Sequence, residues 1–306
     1  MAHVTIMIPT QRRPDGLAVA ARSVLGQTGV DPAILELVIV DNDQVPSAQG
    51  VAEGLAQGAP FPVIYVHEPR AGVAFARNAG MARASGDFIA FLDDDEEAPA
   101  GWLAALLAAQ QRFDADVVFG PVKTRAPAHI VKHREYLERF FSREGPAEAQ
   151  ILDRHYGCGD SLLRRSALPD PVAPFSIVRN FIGGEDDMLF GHMGAAGARF
   201  AWEPEAWVWE DPVASRLNLS YTLARAFAYG QGPSAHCAAA VPPDRVGVAR
   251  WMAVGLAQAV VFGLVAIFKW IIGANDRAEW LDRTARGLGK TFWWGPFKIQ
   301  FYGRTT

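Results

Sequence analysis

Short apolar runs alternate with amphipathic stretches along the first 120 residues of the chain. Residues 4–8 (VTIMI), 35–40 (LELVIV), 63–66 (VIYV), 88–92 (FIAFL) and 117–119 (VVF) are bounded by polar and turn-forming residues and are predicted as buried strands. Between them, residues 15–25, 47–55, 72–84 and 99–113 carry apolar side chains at helical spacing, with Pro14-Asp15 and Pro99 at two of the helix starts. Strands alternating with helices of this length predict right-handed βαβ units around a mainly parallel sheet. The expected fold class is therefore α/β, Rossmann-like, with helices flanking the sheet.

Beyond residue 120 the pattern loosens. Helices are expected at 130–141, 185–196 and 219–229, a strand at 157–164 (GCGDSLLR), and strand with loop at 200–210, around Trp202, Trp207 and Trp209. Residues 251–268 hold no formal charge and only Gln258 as an interruption, so the segment is too apolar to face water. It fits a membrane span or re-entrant hairpin, a helix lying in the interface, or a core helix; Trp251, Trp270, Trp280, Trp293 and Trp294 suit an interfacial belt. The expected organisation is a catalytic body over 1–240, with halves 1–120 and 121–240, and an apolar, basic helical tail over 241–306.

Half of the 306 residues are hydrophobic and a fifth charged, enough for a sizeable core and too apolar for a disordered chain. The net charge of −4 conceals a tail with nine basic and four acidic residues. An acidic body with a basic tail argues against a nucleic-acid partner and suits an anionic membrane surface. Cys158 and Cys237 cannot build a disulfide framework or a cysteine zinc site, and the seven histidines form no zinc-hydrolase pair. The opening residues carry no secretory n-region or cleavage site, so a cytoplasmic body is expected.

In parallel sheets, ligands bind beyond the carboxyl ends of the strands. Three polar features converge there: Pro9-Thr10, Asp41, and Asp93-Asp94-Asp95. Strand-end carboxylates spaced D-x-D can share a hard cation such as Mg²⁺ or Mn²⁺. Arg77, in the helix after Gly72, can reach a phosphate or brace the acidic loop. Gly183-Gly184-Glu185-Asp186-Asp187 turns tightly into a helix, and three adjacent carboxylates raise at least one pKa, which favours a general base. Gly287-Leu288-Gly289-Lys290-Thr291 imitates a phosphate loop, but Thr284 stands at the first glycine position and no strand precedes it.

Together these motifs resemble family 2 glycosyltransferases of the GT-A fold, in particular non-processive bacterial members that build exopolysaccharide and cell-surface glycans. The resemblance runs from Val4 through Asp187 and resumes in the basic tail at residues 284–290. It implies that Pro9, Thr10 and Asp41 hold the nucleotide base and ribose, that Arg77 lies near the phosphates, and that Asp93 and Asp94 approach the ribose and donor. It implies Asp95, with Asp93, as ligands of Mn²⁺ or Mg²⁺, Asp186 as catalytic base with Glu185 beside it, and Gly159 and Asp160 near the donor sugar and acceptor. The implied partners are a nucleotide sugar, most simply a UDP-sugar, and a glycan or polyprenyl-linked acceptor at the cytoplasmic face of the inner membrane. Gln11-Arg12 replaces the Tyr-Asn common after the first strand, and Tyr229-Gly230-Gln231-Gly232-Pro233 lacks the Q-x-x-R-W of processive synthases. A catalytically silent sugar-nucleotide or glycan-binding protein and a nucleotidyltransferase are the rival readings. The latter needs an N-terminal glycine-rich loop that residues 9–14 do not supply.

Overall fold

The structure, a computed structural model, describes residues 3–180 and 184–299. Gly183, the first glycine of the Gly-Gly turn expected above, lies outside them. In chain order the elements are β1 (Val4–Thr10), α1 (Pro14–Leu25), β2 (Leu35–Asp41), α2 (Gln49–Ala56), β3 (Val63–His67), α3 (Val73–Arg83), β4 (Phe88–Phe91), β5 (Glu96–Glu97), α4 (Trp102–Phe113), β6 (Val117–Phe119), β7 (Val122–Thr124), α5 (Arg134–Phe141), β8 (Gln150–Leu152), β9 (Ser161–Arg164), α6 (Glu185–Ala195), β10 (Phe200–Trp202), β11 (Val208–Glu210), α7 (Leu219–Ala239), α8 (Arg245–Ile271) and α9 (Arg277–Thr291). They form two compact units, Met1–Lys123 with Ser142–Glu210, and Thr124–Phe141 with Asp211–Gln300.

The first unit is built on an eight-stranded sheet of order β3-β2-β1-β4-β9-β6-β10-β8. Parallel pairing links β3, β2, β1 and β4, and also β6 and β10. The Gly-rich segment expected as a strand contributes β9, which slots antiparallel between β4 and β6. The sheet is thus mixed rather than parallel throughout. Both faces are buried, as the unbroken apolar runs demand. Ile6, Ile8, Leu37 and Ile39 pack with Leu17, Trp102 and Leu106 on one side. Met7, Val38, Val40 and Phe91 pack with Phe119, Phe175 and Phe190 on the other. Register brings Thr10 beside Asp41, and Met7 beside Phe91, so the polar ends of β1, β2 and β4 emerge at one edge.

The second unit departs most from expectation. The expected helix at 219–229 continues to Ala239 through Pro233. Asn218 caps its start by accepting the Tyr221 N–H at 2.9 Å. Ser234 and Gln231 fasten it to the Lys290 and Phe292 carbonyls at 2.8 and 2.9 Å. Residues 124–141 and 211–240 belong to the same compact unit as the described residues of the tail. The basic segment of the expected helical tail, after the apolar run, forms α9. It packs on α8 through small residues: a Cβ on Gly287 would stand 2.7 Å from the Ala259 nitrogen. Helix α8 has 27 residues and a mean hydropathy of 2.1 over its most apolar window, and is long and apolar enough to cross a membrane. Only 17% of that window is buried, unlike a helix enclosed in a core.

Candidate functional site

The ends of β1 and β4 meet through short polar contacts. Thr10 donates its hydroxyl to Asp94 Oδ2 at 2.7 Å. Arg13, just before α1, reaches back to Asp94 Oδ1 at 3.0 Å and to Asp95 Oδ2 at 2.6 Å. Burial pushes Asp94 up to about 6, with Arg13 and the Thr10 hydroxyl opposing and Asp95 and Asp93 reinforcing.

Asp41, at the end of β2, is fully buried and serves its own turn. Its carboxylate accepts from the Ser47, Ala48 and Asp43 amides and from the Tyr65 hydroxyl, all within 3.1 Å. Burial alone would lift this group, but the four donors hold it below the usual carboxylate range. Asn42 ties the neighbouring loop together, donating to the Glu68 and Arg70 carbonyls and accepting the Gly72 amide. Pro9, in register with Val40, remains partly exposed.

A second constellation forms where α3, α6 and the loop before β9 converge. Arg77 is buried and donates to Glu185 Oε1 at 2.7 Å, with Asp93 at 3.8 Å. Burial raises the Glu185 carboxyl and the like charge of Asp186 adds to it, while Arg77 opposes. Partial burial raises the Asp93 carboxyl, with Arg77 opposing and Asp95 and Asp186 reinforcing. Asp186 is half-buried and accepts the Cys158 N–H at 3.1 Å and the Asp187 N–H at 2.9 Å. Gly159 permits the close approach of the two acidic segments, since a Cβ there would lie 2.7 Å from Asp93 Oδ2.

Asp160 does not face the opening. It is fully buried at φ 47°, accepting from Trp102 Nε1 at 2.7 Å, with Arg143 3.3 Å away. Its carboxylate fixes the loop. Arg143 straps the same loop by donating to the Gly120, Gly157 and Asp160 carbonyls at 2.8, 3.0 and 2.8 Å. Glu96 accepts the Asp93 N–H at 2.8 Å, and burial holds its carboxyl well above the usual range.

Asp93 and Asp95 offer hard oxygen donors in an acidic cluster whose charge Arg13 and Arg77 offset in part, chemistry that suits a divalent cation. The Asp93 side chain is 39% exposed, whereas Arg13 already engages one oxygen of Asp95. Among the described residues, no group of three or more His, Cys, Asp or Glu is disposed to hold a metal ion.

The sequence profile of Glycosyl transferase family 2 matches residues 5–170, and so spans β1 through β9. The chain belongs to glycosyltransferase family 2. It is 36% identical over 230 residues to the succinoglycan biosynthesis protein ExoM of Rhizobium meliloti (strain 1021), covering 75% of this chain and 73% of that protein. It is 30% identical over 236 residues to the pre-mycofactocin glycosyltransferase of Mycobacterium tuberculosis H37Rv, but spans only 46% of that protein. The crystal structure of S. aureus TarS 1-349 in complex with UDP-GlcNAc superposes with a TM-score of 0.54 over 80% of this chain and 69% of that one. At 15% identity this likeness establishes the GT-A-like fold and nothing finer.

In this glycosyltransferase the sequence motifs omit Arg13, Trp102 and Arg143. Arg13 had a signal, since it follows the Gln11-Arg12 departure and precedes the helix-opening Pro14. Arg143 had none, because its partners are backbone carbonyls. The buried acids also set a pH dependence. Burial pushes Asp160 from an ordinary 3.8 up to about 7, with Arg143 and Trp102 opposing. The folded state therefore binds its proton more tightly than the unfolded chain does. This contribution to stability is complete below about pH 4 and is lost as pH rises toward about 7. Asp94 acts in the same direction up to about 6, whereas Asp41 acts oppositely on the acid side. Calorimetric melting points measured from pH 4 to 8 are expected to fall across this window, and to fall less in Asp160→Asn, whose amide oxygen still accepts from Trp102.

Proposed function

We propose that this family 2 enzyme transfers a single sugar from a UDP-sugar to a hydroxyl of a glycan or lipid-linked acceptor, with inversion, in surface polysaccharide synthesis. The observation that carries the reading is Asp186: a half-exposed carboxylate fixed by the Cys158 N–H, beside the Arg77–Asp93 pair. In the reaction, Asp186 takes the proton of the acceptor hydroxyl as its oxygen bonds to the anomeric carbon. The bond from that carbon to the diphosphate oxygen breaks, and UDP leaves with the electron pair. Arg77 stands near the charge that grows on the diphosphate. A divalent cation held by Asp95 and Asp93 would neutralise part of the same charge.

Several features support the finer points. The bound UDP-GlcNAc of the TarS structure favours a uridine donor, and the succinoglycan role named for the relative favours an exopolysaccharide product. Gln231, where a processive synthase would carry its signature, is buried in α7 and bonded to the Phe292 and Phe297 carbonyls, which favours single transfer. Leu256, Val260, Leu264, Ile267 and Ile271 leave α8 with an exposed apolar face, which supports attachment to the cytoplasmic face of the inner membrane.

Titration with UDP by calorimetry, with and without Mn²⁺, tests the donor site. Metal-enhanced binding is expected, and Asp95→Ala is expected to abolish the enhancement. UDP binding that is indifferent to Mn²⁺ would defeat the metal assignment, and no UDP binding in either condition would defeat the uridine donor.

A further inference from the structure

Strands β5, β11 and β7 form a small separate sheet whose outer face the mechanism does not use. Val208 and Ala206 point into the core, so strand alternation turns Trp207 and Trp209 the other way. Both tryptophans are partly exposed. Their rings meet edge to face, with centroids 5.2 Å apart and planes at 82°. The Lys123 ammonium stands 3.8 Å from the Trp207 ring centroid. Trp209 is in register with Glu97 across β11 and β5, which puts that carboxylate on the same face.

The segments that carry this face are continuous along the chain with those that back the acid cluster. Glu97 follows Glu96, the residue that receives the Asp93 N–H. Trp207 follows Ala206, whose carbonyl lies so close to Gly120 that a Cβ there would stand 1.8 Å away and 2.7 Å from Asp160 Oδ2. Lys123 is three residues beyond Gly120. An aromatic corner edged by one ammonium and one carboxylate has the chemistry of a sugar site. Indole surfaces cover the apolar C–H face of a pyranose, and the charged groups address its hydroxyls.

We propose that Trp207, with Trp209, Lys123 and Glu97, forms a platform for a pyranose ring of the acceptor glycan. The assignment to an acceptor, rather than to any glycan, rests on the transfer reading above. It makes acceptor choice depend chiefly on Trp207, Trp209 and Lys123, which lie beyond the nucleotide-binding half, with Glu97 contributed from within it.

The test uses cellotetraose and laminaritetraose as probes on the full-length protein, followed by calorimetry and tryptophan fluorescence, with UDP titrated in parallel. The wild type is expected to bind at least one tetrasaccharide with a fluorescence change. Trp207→Ala is expected to weaken that binding by about tenfold, equivalent to about 1.4 kcal/mol, and Trp207→Phe by less, with UDP affinity unchanged in both. Failure of the wild type to bind either tetrasaccharide, equal binding by Trp207→Ala, or a parallel loss of UDP affinity would overturn the platform. A wild type that binds tetrasaccharide but not UDP would instead defeat the donor reading and leave the platform standing.

Discussion

Asp186→Asn lowers kcat by about 10²- to 10⁴-fold and leaves UDP affinity as it was. The substitution keeps the side chain's volume and an oxygen that can accept the Cys158 N–H now held at 3.1 Å. It removes the capacity to take up a proton. Arg77 and Asp93, which face the donor in the proposed mechanism, are left in place. Glu185 is badly placed to substitute, since Arg77 engages its Oε1 at 2.7 Å and it is buried. The check is steady-state kcat beside a calorimetric UDP titration of the same preparation. A full-rate Asp186→Asn enzyme removes Asp186 from the base role.

Arg77→Met destabilises the first unit by about 3–5 kcal/mol, because it leaves buried acids without their cation. Arg77 is only 5% exposed, and Glu185, Asp93 and Asp186 all surround it. Its guanidinium also lies over the Phe175 ring, 5.5 Å from the centroid, which the methionine replaces only in part. At roughly 2–4 °C for each kcal/mol, the melting point should fall by roughly 6–20 °C. Adding Glu185→Gln removes the stranded charge nearest Arg77, and part of the loss should return in a double-mutant cycle. A fall of less than about 2 °C for Arg77→Met would show that the pair is screened by solvent after all.

The strands of the nucleotide-binding half were legible because both faces of the sheet are covered, and continuous apolar runs such as 35–40 advertise that burial. The strand-end polar residues were legible for the same reason: a sharp change from apolar to acidic at Leu92-Asp93 marks where a strand leaves the core. Direction was not. Nothing in the SLLR run of β9 reveals that it enters antiparallel between β4 and β6, because that is decided by neighbours distant in sequence. The extent of α7 was hidden by Pro233, whose local penalty is overridden by the side-chain bonds of Gln231 and Ser234. The helical tail was expected, but not the close packing of α9 on α8, which the glycines permit: Gly287 lies directly against Ala259.

At the site, residue types marked where acids gather but not which of them face outward. Asp41, Asp93, Asp160 and Asp186 are equivalent as letters. Their surroundings divide them into a turn organiser with four donors, a half-open carboxylate, a loop fastener and a candidate base. Arg143 was invisible for the opposite reason, since its work is done on main-chain oxygens that any sequence would supply.

The crowding of Asp93, Glu96 and Asp160 bears on how this chain can change over evolutionary time. Groups that repel one another at partly and fully buried positions are held there by the rest of the fold, so this acidic edge stores electrostatic strain. Neutral replacements such as Glu96→Gln would relieve that strain. Lineages pressed toward heat resistance would therefore find their easiest gains where turnover is most exposed to loss.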